Sequence, residues 1–284
     1  MSRLLVSTFI RMLKKVIFWF FVLCMFAYGV YTALNIASEA RIGFVLDRCL
    51  FECLPLMGLI SAIFTSLFIG SEYSDGTIRN KIIVGHSRIR IYLANLIVCA
   101  IASVLISLSY TVGVFVIGNM NGGELITETA TIFLCMISSL MISITFASIM
   151  TLLAILNTNK AGNVVVSMIL ALVLLVSGSF IHQKLGEPKL YDNYVTVNEM
   201  GIPTQVEQLP NPQYIEGTPR IVLEVLSDLL HSGQAIQLAD AFDTEGMTDE
   251  SIANVPYRWM EYSLLVTFLT SVLGIALFRK KEIR

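Results

Sequence analysis

The stretch "IGSEYSDGTIRNKIIVGHSRIRIYLANLIV", residues 69–98, sets a charged, glycine-punctuated segment between two long apolar runs. Ser71 to Asp75 are polar, Gly76 permits a sharp bend, and "TIRNKIIVG" holds enough residues for one short helix ended by Gly85. Thr77 or Asp75 is expected to cap that helix. A short polar helix bounded by glycines between two apolar runs reads as a rigid knob at a membrane exit, suited to docking on a partner. Its basic residues Arg79, Lys81, Arg88 and Arg90 suit lipid headgroups or an acidic groove, and composition does not choose between them.

The rest of the chain supplies the membrane. With 55% hydrophobic and 14% charged residues over 284, and a mean hydropathy of +0.74, the composition excludes a soluble globule and implies a polytopic membrane protein. An apolar helix needs about 20 residues to cross the hydrocarbon. That template finds six spans, at 16–37, 50–70, 92–118, 130–156, 161–181 and 259–278. The expected fold is therefore all-α with six transmembrane helices. The formal net charge of -2 points to no nucleic acid. Five scattered cysteines form no disulfide framework or zinc spacing.

Sidedness follows from the basic residues. With both termini inside, the inner segments hold 13 of the 19 Lys and Arg residues, and Arg41, Arg48, Lys184, Lys189, Arg220 and Arg258 lie outside. The positive-inside bias places both termini and the knob in the cytoplasm. Ahead of the first span, "RLLVSTFIRMLKK" sets Val6, Phe9, Ile10 and Leu13 on one helical stripe against Arg3, Ser7, Arg11 and Lys14. This is the pattern of an amphipathic helix in the inner interface. A basic flank that only sets topology is the alternative.

Three segments result: 1–181 with the interfacial helix and spans one to five, a polar extracytoplasmic insertion at 182–258, and 259–284 with span six and a basic tail. In the insertion, "GIPTQVEQLPNPQYIEGTP" is rich in turn formers and reads as loop. "TPRIVLEVLSDLLHSG" reads as a helix with Thr218 as N-cap, Pro219 at the first position, a stripe of Val222, Val225, Leu226 and Leu229, and Gly233 past the end. Its small size implies packing on the outer ends of the spans or on a partner subunit.

The chemistry of an enzyme is missing. There is no HExxH, no pair of intramembrane aspartates and no GxxxxGK[ST], so neither intramembrane hydrolysis nor P-loop ATP binding is expected of this chain. Glu52 and Glu261 are the carboxylates within the six apolar runs, each near an outer end. Arg48 and Arg258 lie one turn before them, so two interfacial ion pairs are expected, Arg48 with Glu52 and Arg258 with Glu261. Ser and Thr residues in spans three and four read as close helix packing, with a polar translocation surface as the alternative.

Glu72 followed by "DGTIRNKIIVGHSRIRIYLANL" resembles the cytoplasmic segment of ABC transporter permeases of the type 2 exporter group, with the type V fold. The order of parts is similar too: interfacial helix, six spans, this segment between the second and third, an enlarged loop before the last, and a basic "FRKKEIR" tail. "NPQYIEGTPRIVLEVLSDLLHSGQAIQL" resembles the outer loop of permeases of Gram-positive bacteria, including those linked to bacteriocin export or immunity. The resemblance implies a plasma-membrane permease that exports a peptide, drug or lipid-like substrate, as a homodimer or a heterodimer with a second permease subunit. It implies separate ABC ATPase subunits that bind ATP and Mg. It makes the knob a coupling helix, with Glu72 at the bend, Gly76 and Thr77 at the helix start, Arg79, Asn80 and Lys81 facing the partner, and Arg88 among the docking residues. The second and fifth spans would line the path, at Leu59, Ile63, Leu67, Met168, Leu172 and Val176. A non-transporting anchor or sensor with a ligand-binding insertion shares every span and is the other reading.

Overall fold

The computed structural model describes residues 1–39, 45–190, 195–197, 203–205, 210–242 and 255–281. The acidic residues Asp192, Glu199, Glu207, Asp243, Glu245, Asp249 and Glu250, together with Arg41 and Arg284, lie outside them. The helices are α1 (Ser2–Leu13), α2 (Val16–Glu39), α3 (Leu54–Ser74), α4 (Thr77–Ile83), α5 (Arg88–Met120), α6 (Thr129–Leu156), α7 (Lys160–Gly186), α8 (Thr218–Leu229), α9 (His231–Asp240) and α10 (Val255–Lys280). Two three-residue strands, Val195–Val197 and Pro203–Gln205, pair antiparallel. Six of the helices are long and apolar enough to cross a membrane, and this is an all-α polytopic membrane protein.

The helices outlast the apolar runs that announce them. The run of span two stops at Gly70, yet α3 continues through Ser71, Glu72 and Tyr73, because these polar groups find partners inside the protein. Helix α5, with 33 residues, is about 50 Å long at 1.5 Å per residue, well beyond a hydrocarbon core of about 30 Å. Its first turns therefore belong to the same end of the bundle as α4 and both chain termini, here called the terminal end.

Close packing at the centre rests on glycine and hydroxyl groups. Helices α2 and α5 meet at Gly29 and Gly113. A Cβ at Gly29 would fall inside 3.0 Å of the Tyr110 carbonyl, and one at Gly113 equally close to the Phe26 carbonyl. Nearby, the buried Tyr110 hydroxyl donates to the Cys49 carbonyl at 2.5 Å and lies 3.1 Å from Thr32 Oγ1. Helices α6 and α10 are joined by Thr145 to Thr267 at 2.9 Å and Ser148 to Thr270 at 2.7 Å. These span-four hydroxyls are packing groups that hydrogen-bond across the helix pair.

Helix α1 lies against the bundle with two dissimilar faces. Leu4, Thr8 and Met12 are buried, whereas Val6 and Ile10, from the expected apolar stripe, are exposed. The expected stripe is therefore split, with Val6 and Ile10 facing away from the protein and Phe9 and Leu13 packed on its core, while Arg11 from the expected polar stripe turns inward.

At the distal end, the carboxylate of buried Asp47 accepts from the backbone N–H of Ile126 (3.1 Å) and Thr127 (2.8 Å), pinning the α5–α6 loop to the short 3-10 turn Leu46–Cys49. The insertion departs from the sequence reading in three ways. Gly217, in the left-handed region with φ +76°, precedes α8 where Thr218 was the expected cap, and Thr218 is its first residue. Gly233 lies within α9, since the chain turns at Leu230 and starts a second helix. The stripe Val222, Val225, Leu226 and Leu229 is exposed, while Ser227 and Asp228 are buried.

The inversion has a physical cause. Arg220 Nη2 donates to the Leu185 carbonyl (3.2 Å) and Ser232 Oγ to the Leu174 carbonyl (2.5 Å). These acceptors are eleven residues apart on α7, about 16 Å along the axis. The α8–α9 hairpin thus runs beside span five to the level of its apolar run, where the aliphatic face of α8 is turned out of the protein and its polar side chains turn to it.

Candidate functional site

The polar elbow between α3 and α5 forms because glycine can leave the right-handed region. Gly76, at φ +65°, is the N-cap of α4, and Gly85, at φ +93°, lies just past its end. Asp75 terminates α3 and Thr77 is the first residue of α4, so neither caps it as the sequence suggested. Ser87 then caps α5, its hydroxyl accepting from Arg90 N–H at 3.4 Å.

Behind the elbow sits one carboxylate. Glu72 is fully buried. It pairs with Arg11 of α1 and with Lys81 Nζ of α4 at 2.7 Å, and Asn95 Nδ2 of α5 donates to its Oε2 at 2.9 Å. Lys81 Nζ also donates to Thr8 Oγ1 at 3.4 Å. Four helices therefore meet on one side chain. Two of the expected docking residues, Glu72 and Lys81, face inward, because each satisfies the other out of water. Arg11, Thr8 and Asn95 complete the hub without having been singled out from the sequence. The available signal was Asn95 at the polar end of an apolar run, and Arg11 between Ile10 and Met12 in α1.

Charge in this hub is uneven. Arg11 remains a cation at any accessible pH and neutralises Glu72, so Lys81 is a second cation beside one anion. Burial, reinforced by the Arg11 charge, pushes the Lys81 ammonium from its ordinary 10.5 to about 7. A base whose folded pKa lies below its unfolded value carries its full cost below the folded pKa, and stability recovers as pH rises from about 7 toward 10.5. The melting temperature in detergent is thus expected to climb between about pH 6.5 and 9, and Lys81→Met to flatten that climb. An unchanged slope in the variant would assign the effect to another group.

A second tie fixes the same inward face of α4. Ile78 is buried with Leu4 of α1, Ile91 and Tyr92 of α5, Ile155 of α6 and Phe278 of α10. Arg88 turns inward and caps the end of α10, its Nη1 donating to the carbonyls of Phe278 (3.3 Å), Arg279 (3.0 Å) and Lys281. Lys281 Nζ in turn donates to the Ile155 carbonyl (2.8 Å) and Tyr73 Oη (3.1 Å). The Tyr92 ring fills the space over Gly274, where any Cβ would collide with it.

What remains outward is a small mixed surface. Arg79 and Asn80 are exposed, and beside them Ile83 and Val84 are 72% and 77% exposed. This apolar pair was not among the expected docking residues. Gly76 and Thr77 are half-buried at the helix start.

The remaining expected sites are placed as follows. Leu59, Ile63, Leu67 and Met168 are half-buried and Leu172 and Val176 exposed, on α3 and α7, which pack side by side. Arg48 lies in the 3-10 turn and Glu52 in the turn ahead of α3, both half-buried. Arg258 does not pair with Glu261. Its Nε lies 2.9 Å from Asp228 Oδ2 at the foot of α8, while Glu261 is exposed. The partner that sequence spacing could not offer is supplied by the re-entrant hairpin. Among the described residues no three His, Cys, Asp or Glu side chains are grouped so as to hold a metal ion.

The sequence pattern of the ABC-2 family transporter proteins matches residues 7–178, which run from α1 into α7 and contain every member of the Glu72 hub. No curated protein matches the chain. A match over more than half of the length, on a six-span helical bundle, is decisive: the chain belongs to the ABC-2 family of transporter membrane proteins.

Proposed function

We propose that α4 is the coupling helix on which a separate ABC ATPase, holding ATP and Mg, drives this permease subunit. The carrying observation is the division of α4 into two faces. Ile78 is packed among α1, α5, α6 and α10 and Lys81 is bonded to α1 and α3, whereas Arg79, Asn80, Ile83 and Val84 are presented outward. A push on the outward face has no slack to absorb it, so it reaches α1, α3 and α5 together. The terminal end is then cytoplasmic, in the plasma membrane of a bacterium, in keeping with the distribution of Lys and Arg.

The path for a peptide, drug or lipid-like substrate is proposed along the α3–α7 seam, with Leu59, Ile63, Leu67, Met168, Leu172 and Val176 on its sides. Support comes from Asn163 and Ser167, buried side chains of α7 with side-chain polar atoms that have no hydrogen-bond partner among the described residues. Such groups penalise the closed seam and are hydrated when it parts. The exposed apolar faces of α7 and α10 leave room for a second permease subunit, identical or paralogous.

The test is affinity purification of the tagged chain from its native membrane in mild detergent, beside Ile83→Asp and Arg79→Glu. An ATPase subunit should accompany the parent and be lost from at least Ile83→Asp, with melting temperatures unchanged. A folded parent that brings down no ATPase would overturn the coupling role and return the anchor or sensor reading.

A further inference from the structure

A cavity of about 330 Å³ opens at the distal end between the C-terminus of α7, the α8–α9 hairpin and the first turns of α10. Three carboxylates stand on its wall, Glu224, Asp228 and Asp240. Two of them are already neutralised by arginine. Arg220 Nε lies 3.1 Å from Glu224, and Arg258 Nε lies 2.9 Å from the buried Asp228. Among the described residues Asp240 pairs with the His182 ring alone, with Nε2 at 2.9 Å, and its side chain is half exposed. A histidine ring, unlike an arginine, is not a permanent cation. The wall therefore carries one carboxylate with no permanent cation beside it among the described residues. The lining also has an apolar part, made of Leu185, Val255, Ala241 and Trp259, the last only 2% exposed.

We infer that this cavity binds a small organic cation, an ammonium group on a short aromatic or aliphatic body, with Asp240 as its counter-charge and Trp259 in its apolar wall. The chemistry follows from the two halves of the lining. An ammonium donates to the carboxylate and gains from the indole. An organic body is needed to displace water from the apolar half, which a bare ion does not do. The volume lies at the small end of ordinary ligand pockets, which run from about 300 Å³ upward. The inference is independent of the coupling role of α4, since binding is read on the purified permease without nucleotide or transport.

Equilibrium dialysis of radiolabelled 2-phenylethylamine against the full chain in lipid nanodiscs, with empty nanodiscs subtracted, tests it. One saturable site per chain is expected, displaced by unlabelled amine and not by phenylacetate or the neutral 2-phenylethanol. Asp240→Asn, a substitution at a half-exposed side chain that leaves the fold intact, should weaken binding by about tenfold or more, as removal of a charged hydrogen-bond partner does. Trp259→Leu should weaken it without restoring phenylacetate. Non-saturable uptake, equal displacement by 2-phenylethanol, or unchanged affinity in Asp240→Asn would each overturn the proposal.

Discussion

Glu72→Ala is expected to be among the most damaging single substitutions in this protein, although Glu72 touches no substrate and no nucleotide. Its removal leaves Arg11 and Lys81 facing each other without an anion, and Asn95 Nδ2 without its acceptor. Breaking a buried charged network by deleting one partner costs about 3–5 kcal/mol, since the groups left behind have lost water and gained nothing. At roughly 2–4 °C per kcal/mol for a protein of this size, the melting temperature in detergent should fall by about 10 °C. Removing a cation is milder. Arg11→Met keeps the Lys81 pair, and Lys81→Met keeps the Arg11 pair, so each should cost well under half as much. The double variant Glu72→Gln with Lys81→Met leaves one cation and should recover part of the loss. A melting temperature for Glu72→Ala within about 1 °C of the parent would show that Arg11 and Lys81 reach solvent and that the hub does not hold the elbow.

The second large effect is steric. Gly113→Val places branched carbons where α2 and α5 meet backbone to backbone, with the Phe26 carbonyl inside 3.0 Å of the new Cβ and the Val30 nitrogen at 3.1 Å. Neither neighbour is a flexible side-chain end, so α2 must move away. Gly29, packed equally closely on the Tyr110 carbonyl, shares the contact. The Thr32 to Tyr110 hydrogen bond and the Tyr110 to Cys49 bond then stretch as well. Overpacking alone costs about 1–3 kcal/mol and more where backbone must shift. The expected result is loss of monodisperse protein on detergent extraction, or a melting temperature lower by about 5–10 °C. Gly186→Ala is the control, because nothing lies within 4 Å of the Cβ it would add. Equal behaviour of the two variants would refute close packing of α2 on α5.

The mixed outcome for the site residues has a common reason. Sequence spacing ranks partners by proximity along a helix, and it proposed Arg258 for Glu261. Folding brought Asp228 closer, from a hairpin that no local pattern shows to be re-entrant. The apolar stripe of α8 was legible, and its direction was not. The same periodicity serves a helix buried in a core and one with its aliphatic face in lipid. Likewise the elbow was legible from Gly76 and Gly85, which mark its bends with positive φ. Which of its charged residues turn inward was not, because Lys81 and Arg79 are alike until Glu72 is seen to be buried.

By itself the sequence determined the membrane class, the six spans and the position of the polar elbow, since length and transfer free energy of apolar runs are properties of the chain alone. Only the tertiary structure decided that α1, α3, α4 and α5 converge on Glu72, that α8 re-enters the bundle, and that Ile83 and Val84 stay outside it. Those outcomes depend on which desolvated groups find partners across the bundle, and such pairings join residues that sequence separates by anything from nine positions, as with Glu72 and Lys81, to almost two hundred, as with Arg88 and Lys281.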